Sequence, residues 1–381
     1  MKLRFHEVVA LSLLLVSALT TTGLAATKYD IADLGAGVIP SAINQEGDVV
    51  GTIVSAAGGP EAFLYSNGVV MGVGQLGGTG SWGLAINDYA DMAGSICMDD
   101  VCKENPYWGL QRHGFIQKKG QVTDLMTTTG MMEAAKINNS DVILGEVDPN
   151  TLPEDCSAEI ILYDHISGNV TDSILSCGED TRPIYPSGLN DLGEAIFIKS
   201  YCGSWECSTS YLYSGGDLQA LPADLPDNTW IPWSANDINN YGQIVGKYGY
   251  DQGVLYSQSY TIIPDVHRLR FIPEAINNQG VMVGRALDMT VSSKEPPQKP
   301  KWLSPKWDSK KPIAEYSRPA TYADNRLLIL QELLTKADDQ WILEWVFDLN
   351  DKGQIVGYGT KNGEPEHGFI LTPVKVNRAH E

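Results

Sequence analysis

Trp82, Tyr185, Trp233, Phe271 and Trp345 each stand five or six residues ahead of an asparagine, respectively Asn87, Asn190, Asn239, Asn277 and Asn350. Aromatic faces gathered at one opening suit sugar rings or a partner's apolar side chains, because they offer contact area at little cost in side-chain entropy. Other chemistry is thinner. His113, His165, His267, His367 and His380 form no His-x-x-x-His and no Cys/His cluster at metal-ligand spacing. The carboxylate pairs Asp99/Asp100, Glu179/Asp180 and Asp338/Asp339 are chain neighbours in polar stretches. A glycosidase or lyase needs two carboxylates at a set separation across a cleft, which a sequence does not measure. Neither a Gly-x-Ser-x-Gly elbow nor a phosphate-cradling loop is present. Asn87-Asp88, Asn190-Asp191 and Asn350-Asp351 bring one carboxylate each, too few for calcium. The chain is therefore expected to work without metal or cofactor, and no catalytic residue is identified.

The elements that must position these aromatics come from a repeat. The unit Ile-Asn-x-x-Gly-x-hydrophobic-Val-Gly reads most cleanly at Ile238–Gly246. It recurs seven times, at Asn44, Asn87, Asn138, Asn190, Asn239, Asn277 and Asn350. The glycine three residues on stands at Gly47, Gly193, Gly242, Gly280 and Gly353 and becomes Ala90 and Asp141 in the other two copies. This is a hairpin turn: the asparagine side chain bonds nearby backbone and the glycine takes a left-handed conformation. Ala tolerates that conformation less well than Asp, so Ala90 is the expected point of strain. After each turn come further short apolar runs, such as Ala62–Tyr65, His113–Ile116 and His367–Ile370. Each unit thus holds four strands, and the asparagine intervals run from 38 to 52 residues apart from a last one of 73. Blades of a β-propeller take roughly 40 to 50 residues. The last copy ends one strand short, and Tyr29–Gly35 has the character of the missing outer strand. Pairing it there closes the ring and removes an open edge.

The expectation is one all-β domain over residues 27–376, a seven-bladed β-propeller of four-stranded antiparallel blades closed by its N-terminal strand. A Lys/Pro-rich stretch at about 286–320, with Trp302 and Trp307, reads as an insertion in blade six, and residues 377–381 as a tail. Six blades are the alternative if Ile276–Leu333 is degenerate.

Residues 1–26 read as a secretory signal peptide, with Lys2 and Arg4 ahead of the apolar run Val8–Leu19 and small residues at Gly23–Ala25. No later stretch approaches the ~20 apolar residues of a membrane span. The formal charge is −20, and removing Lys2, Arg4 and Glu7 makes it −21. That charge opposes binding to nucleic acid and to anionic membranes, and neither is expected as a partner. Six cysteines in an exported chain imply three disulfides. Sequence proximity favours Cys97 with Cys102, Cys156 with Cys177 and Cys202 with Cys207, as structural staples.

The repeat units, the His-Gly-Phe segments at His113 and His367, Gly74–Gly78, and Gly353–Gly357 with Phe369–Pro373 resemble the HAF-repeat family of extracellular bacterial repeat proteins. The resemblance implies secretion and a repeat β fold, and no established activity. The reading that follows is a secreted or periplasmic monomer acting as a binding module. Its ligand is a carbohydrate or extracellular protein held at an aromatic channel mouth formed by Trp82, Tyr185, Trp233, Phe271 and Trp345. The same aromatics have another possible role, filling the wedges between blades. Two further functional readings are a polysaccharide-acting hydrolase or lyase, with two carboxylates across that mouth, and a structural envelope or matrix protein without a small ligand.

Overall fold

A computed structural model describes residues 27–53, 59–99, 111–178, 182–200, 208–221, 233–249, 251–290, 317–335 and 340–374. The expected leader, Cys102, Cys202, Cys207, Trp302, Trp307 and the tail lie outside the described residues.

Seven four-stranded antiparallel sheets form the blades. The inner strands are Val38–Ile43, Gly80–Ile86, Met131–Ile137, Ile184–Leu189, Trp233–Ile238, Leu269–Ile276 and Trp341–Leu349, for blades 1 to 7 in that order. Strand order follows the chain in the first six blades. In blade 7 the outer strand is the N-terminal Lys28–Ala36, antiparallel to Glu364–Val374 with Tyr29 opposite Pro373 and Ala32 opposite Ile370. The ring thus closes as the seven-fold repeat and its incomplete last copy require. Blade 6 is complete: Met282–Asp288 pairs with Ser317–Ala323, and Arg326–Ile329 forms its edge. The six-blade alternative is thereby corrected, because the chain resumes the same sheet after the insertion.

The second glycine of the motif answers a close approach. A Cβ on Gly246 would lie 2.1 Å from the Ser234 carbonyl oxygen across the sheet, and on Gly357 2.1 Å from that of Trp345. The cause is a β-bulge in every inner strand. Register skips one residue three positions before each repeat asparagine, at Ser41, Leu84, Ala135, Ser187, Asn236, Glu274 and Phe347. The third strands then press Phe63, Phe115 and Phe369, all fully buried, against Gly51, Gly94 and Gly357.

The large core clusters lie between neighbouring blades. Val245 of blade 5 packs with Phe271, Met282 and Tyr322 of blade 6, and Leu144 of blade 3 with Ile184 and Phe197 of blade 4. Burial of these faces drives ring assembly, at about 25 cal/mol per Å². The expected hairpin staple is present: Cys156 and Cys177 face each other across the outer strand pair of blade 3 and form a disulfide.

Candidate functional site

The seven repeat turns meet at one end of the central channel and enclose a cup of about 320 Å³. Its wall is built from the asparagines and the residues on either side of them. Each asparagine Oδ1 accepts the N–H of the residue four positions on, at 2.8 to 3.0 Å, which fixes the turn from within. The third residue after the asparagine must then be left-handed. Gly242 has φ 69°, and Ala90 and Asp141 are forced to 61° and 59°. Ala90 carries the strain the sequence foreshadows, since a Cβ there meets backbone.

The asparagine amides do more than shape turns. Asn44 Nδ2 donates to the Asn87 carbonyl, Asn87 to Asn138, Asn138 to Asn190, Asn190 to Asn239, Asn239 to Asn277, Asn277 to Asn350 and Asn350 back to Asn44, at 2.9 to 3.4 Å. A second closed ring lies one residue on. The N–H groups of Gln45, Asp88, Asn139, Asp191, Asn240, Asn278 and Asp351 each donate to the side-chain oxygen of the next member, at 2.7 to 2.9 Å. Buried polar groups are tolerated when satisfied, and here the satisfaction runs through all seven blades.

The cup lining also includes two carboxylates. Asp237 and Asp348 sit two residues before Asn239 and Asn350 and line the cup. Burial, and then the nearby Asp348 charge, raise the Asp237 carboxyl to about 7, against the opposing pull of Lys136. Burial likewise raises Asp348, again opposed by Lys136. Lys136 holds the same position relative to Asn138.

Beyond the lining, the second residue after each asparagine forms a turn tip. Tyr89, Leu192 and Tyr241 occupy this position and are 67%, 71% and 75% exposed. Neighbouring tips approach one another, as Lys352 Nζ lies 3.5 Å from Glu46 Oε2. The opening therefore has a polar interior and three apolar tips.

The five aromatics picked out by spacing do not line this cup. Trp82, Trp233, Phe271 and Trp345 are buried, and Tyr185 alone is open, at 37%. The cup is lined by residues from two before to one after the asparagines, and the aromatics stand further back along the strands, on both faces. Side chains alternate across a strand, so residues five and six before the asparagine face opposite ways. Trp82, Tyr185 and Trp345 stand opposite Ser95, Ile198 and Tyr358, whereas Trp233 and Phe271 stand opposite Tyr248 and Ala286, one register position further along. Phe271 stacks on Tyr322 at 5.6 Å, Trp233 meets Tyr260 edge-on at 5.3 Å, and the Arg285 guanidinium lies 4.5 Å above Trp345. They fill wedges between and within blades. Tyr89 and Tyr241 were masked in the sequence, because they occupy variable positions of the repeat where a turn tip accepts any residue.

Other chemistry-bearing groups are tied into the blades. His113 Nδ1 lies 2.8 Å from Asp124 Oδ2, and His367 Nδ1 3.3 Å from Asp33 Oδ1, equivalent links between third and outer strands. Glu133 pairs with Arg112 and stands opposite Glu146, whose carboxyl is raised to about 8 by burial and then by the Glu133 charge. Among the described residues no three His, Cys, Asp or Glu gather as a metal site. No described helix is long and apolar enough to cross a membrane.

Solved structures share the architecture. The β-propeller domain of the Trilobed protease from Pyrococcus furiosus superposes with a TM-score of 0.54 at 8% identity, over 92% of this chain and 96% of that one. Acylaminoacyl peptidase from Pyrococcus horikoshii gives 0.52 at 9% identity, over 92% of this chain and 52% of that one. A complex of acylaminoacyl peptidase with Z-Gly-Gly-Phe-chloromethyl ketone gives the same TM-score and coverage. The chain thus spans about half the length of those peptidases. At such identity the likeness is one of fold. No family model matches the chain, and no curated protein does.

Proposed function

We propose that the protein is an exported binding module that holds a saccharide over the polar cup, between the exposed side chains of Tyr89, Leu192 and Tyr241. One observation carries this reading: a cup walled by asparagine and aspartate groups is bordered by large exposed apolar tips. A sugar offers both partners, hydroxyls for carboxylate and amide groups and a C–H face for a tyrosine ring. The Cys156–Cys177 disulfide supports export, since such bonds persist in oxidising compartments. The reading includes kinship with HAF-repeat proteins, supported by the repeat asparagines and the two His-Gly-Phe segments.

The hydrolase alternative has one specific pair in its favour, Asp237 and Asp348, both raised and both in the cup. Each is already engaged by a backbone N–H, Ile276 for Asp237 and Ile43 for Asp348, and we assign them a positioning role first.

The test is a glycan-array screen of the folded, oxidised protein beside a Tyr89→Ala, Tyr241→Ala variant. Glycans retained by the natural protein and lost by the variant are expected. A blank array counts against a saccharide and turns the search to a protein partner at the same tips.

A further inference from the structure

The residue just before each repeat asparagine has an N–H that the strand ladder of its own blade does not use; in blades 5 and 7 the carboxylates of Asp237 and Asp348 accept it from Ile238 and Leu349. Asn87 N–H, for example, already closes the turn on the Asp91 carbonyl at 3.1 Å, so by strand alternation the N–H of Ile86 points off the ladder. Two blades show what such a group takes. Ile43 N–H donates to Asp348 Oδ2 at 3.0 Å, and Ile276 N–H to Asp237 Oδ2 at 2.9 Å. In both cases the carboxylate comes from the preceding blade, two residues before its asparagine.

Blades 2 to 4 break this pattern together. The preceding blades offer Ala42, Ala85 and Lys136 at that position. Among the described residues no side-chain acceptor reaches the N–H of Ile86, Ile137 or Leu189, all of which line the cup. Lys136 stands in the middle of this arc. Its charge is felt by both Asp237 and Asp348, yet its ammonium makes no ion pair or hydrogen bond among the described residues. N–H donors that face a polar cup beside a cation are matched best by a charged acceptor, because charge-assisted hydrogen bonds are roughly twice as strong as neutral ones.

We infer that this arc binds the carboxylate of an acidic sugar, a uronate, with the N–H groups of Ile137 and Leu189 as donors and Lys136 as counter-ion. The inference rests on the saccharide reading and names the sugar class. The bound carboxylate does in blades 3 and 4 what Asp348 and Asp237 do for blades 1 and 6. Carboxylates elsewhere on the wall, at Asp88, Asp191 and Asp351, are held by the same device, a neighbouring blade's N–H at 2.8 to 2.9 Å.

The experiment is calorimetric titration with an oligogalacturonate and with its fully methyl-esterified form, which keeps the sugar and removes the charge. The acid is expected to bind about tenfold or more tightly than the ester. That preference should vanish in Lys136→Met. It should vanish also in Ala85→Asp, which places a carboxylate where Asp237 stands two residues before its asparagine and caps Ile137 from within the protein. Thermal unfolding of both variants shows that they are folded, and either one alone suffices for the comparison. Equal binding of acid and ester overturns the inference and leaves the saccharide reading standing. A preference that survives Lys136→Met removes the arc as its cause. Binding of neither form to the folded natural protein counts against both readings.

Discussion

Asp348, near the end of the chain, accepts the backbone N–H of Ile43, near its beginning, at 3.0 Å. Two residues on, Asn350 Nδ2 donates to the Asn44 carbonyl at 2.9 Å. The seam of the propeller is therefore closed twice: at the rim by the N-terminal strand beside Glu364–Val374, and at the hub by the asparagine ring. Hub closure makes each asparagine answerable to three blades, its own and the two it links.

Replacing Asn239 by Ala removes its donation to Asn277 and the acceptor for the N–H groups of Tyr241 and Gln243. The expected loss is about 2 to 4 kcal/mol in denaturant unfolding, since buried partners are left unpaired. Asn239→Asp keeps the acceptor and should cost less. A loss no larger than that of an exposed substitution would remove the ring from the account of stability.

Ala90 offers the reverse case. Its φ of 61° is one that glycine adopts freely, so Ala90→Gly is expected to stabilise by about 1 kcal/mol despite glycine's greater unfolded-state freedom. Gly246→Ala should be severely destabilising, because the new Cβ meets the Ser234 carbonyl at 2.1 Å. Thermal midpoints of the two variants on either side of the natural protein would check both.

Asp237 makes stability depend on pH. An unfolded aspartate releases its proton near its ordinary value of 3.8, whereas the folded group holds it to about 7. Between those values the folded state binds more protons, so this group's contribution to stability declines as pH rises through the window and is level above it. Asp237→Asn removes that slope. The variant is expected to gain on the natural protein between pH 5 and pH 8, on the order of 2 kcal/mol, as read by unfolding at both pH values. A difference independent of pH would mean the carboxyl is not perturbed.

The Cys156–Cys177 bond closes a separation of 21 residues. Replacing both by Ser is expected to cost about 3 kcal/mol by loop-closure entropy, with the natural protein under reducing conditions shifting at least as far. Calorimetry with and without reductant would measure it. Unchanged midpoints would show that the outer hairpin of blade 3 unfolds independently of the rest.

Much of this architecture could be read before any coordinates. The asparagine and glycine positions mark seven turns because only a few residues satisfy a left-handed position and an inward amide, and those constraints are local. The outer strand supplied by Tyr29–Gly35 was legible by subtraction, since the last unit ends one strand short. The bulge was not legible. It leaves no residue signature at Ser41, Leu84, Ala135, Ser187, Asn236, Glu274 and Phe347, which share no chemistry, and it shows only as the second glycine's close approach. Which side chains reach the cup was not legible. A window of five or six residues spans both parities of a strand, so Trp233 and Trp82 could look equivalent while pointing apart. Tyr89 and Tyr241 escaped because conservation of type is not required at a solvent-facing tip.

The central claim, a saccharide seated over the cup, is tested most directly by titrating a glycan retained on the array into three proteins: the natural chain, Tyr89→Ala with Tyr241→Ala, and Tyr185→Ala. Tyr185 is an exposed aromatic that is neither at a turn tip nor in the cup lining. The account predicts that affinity falls about tenfold or more in the first variant and is unchanged in the second. Affinity kept at the turn tips and lost with Tyr185 would contradict it and move the site away from the cup.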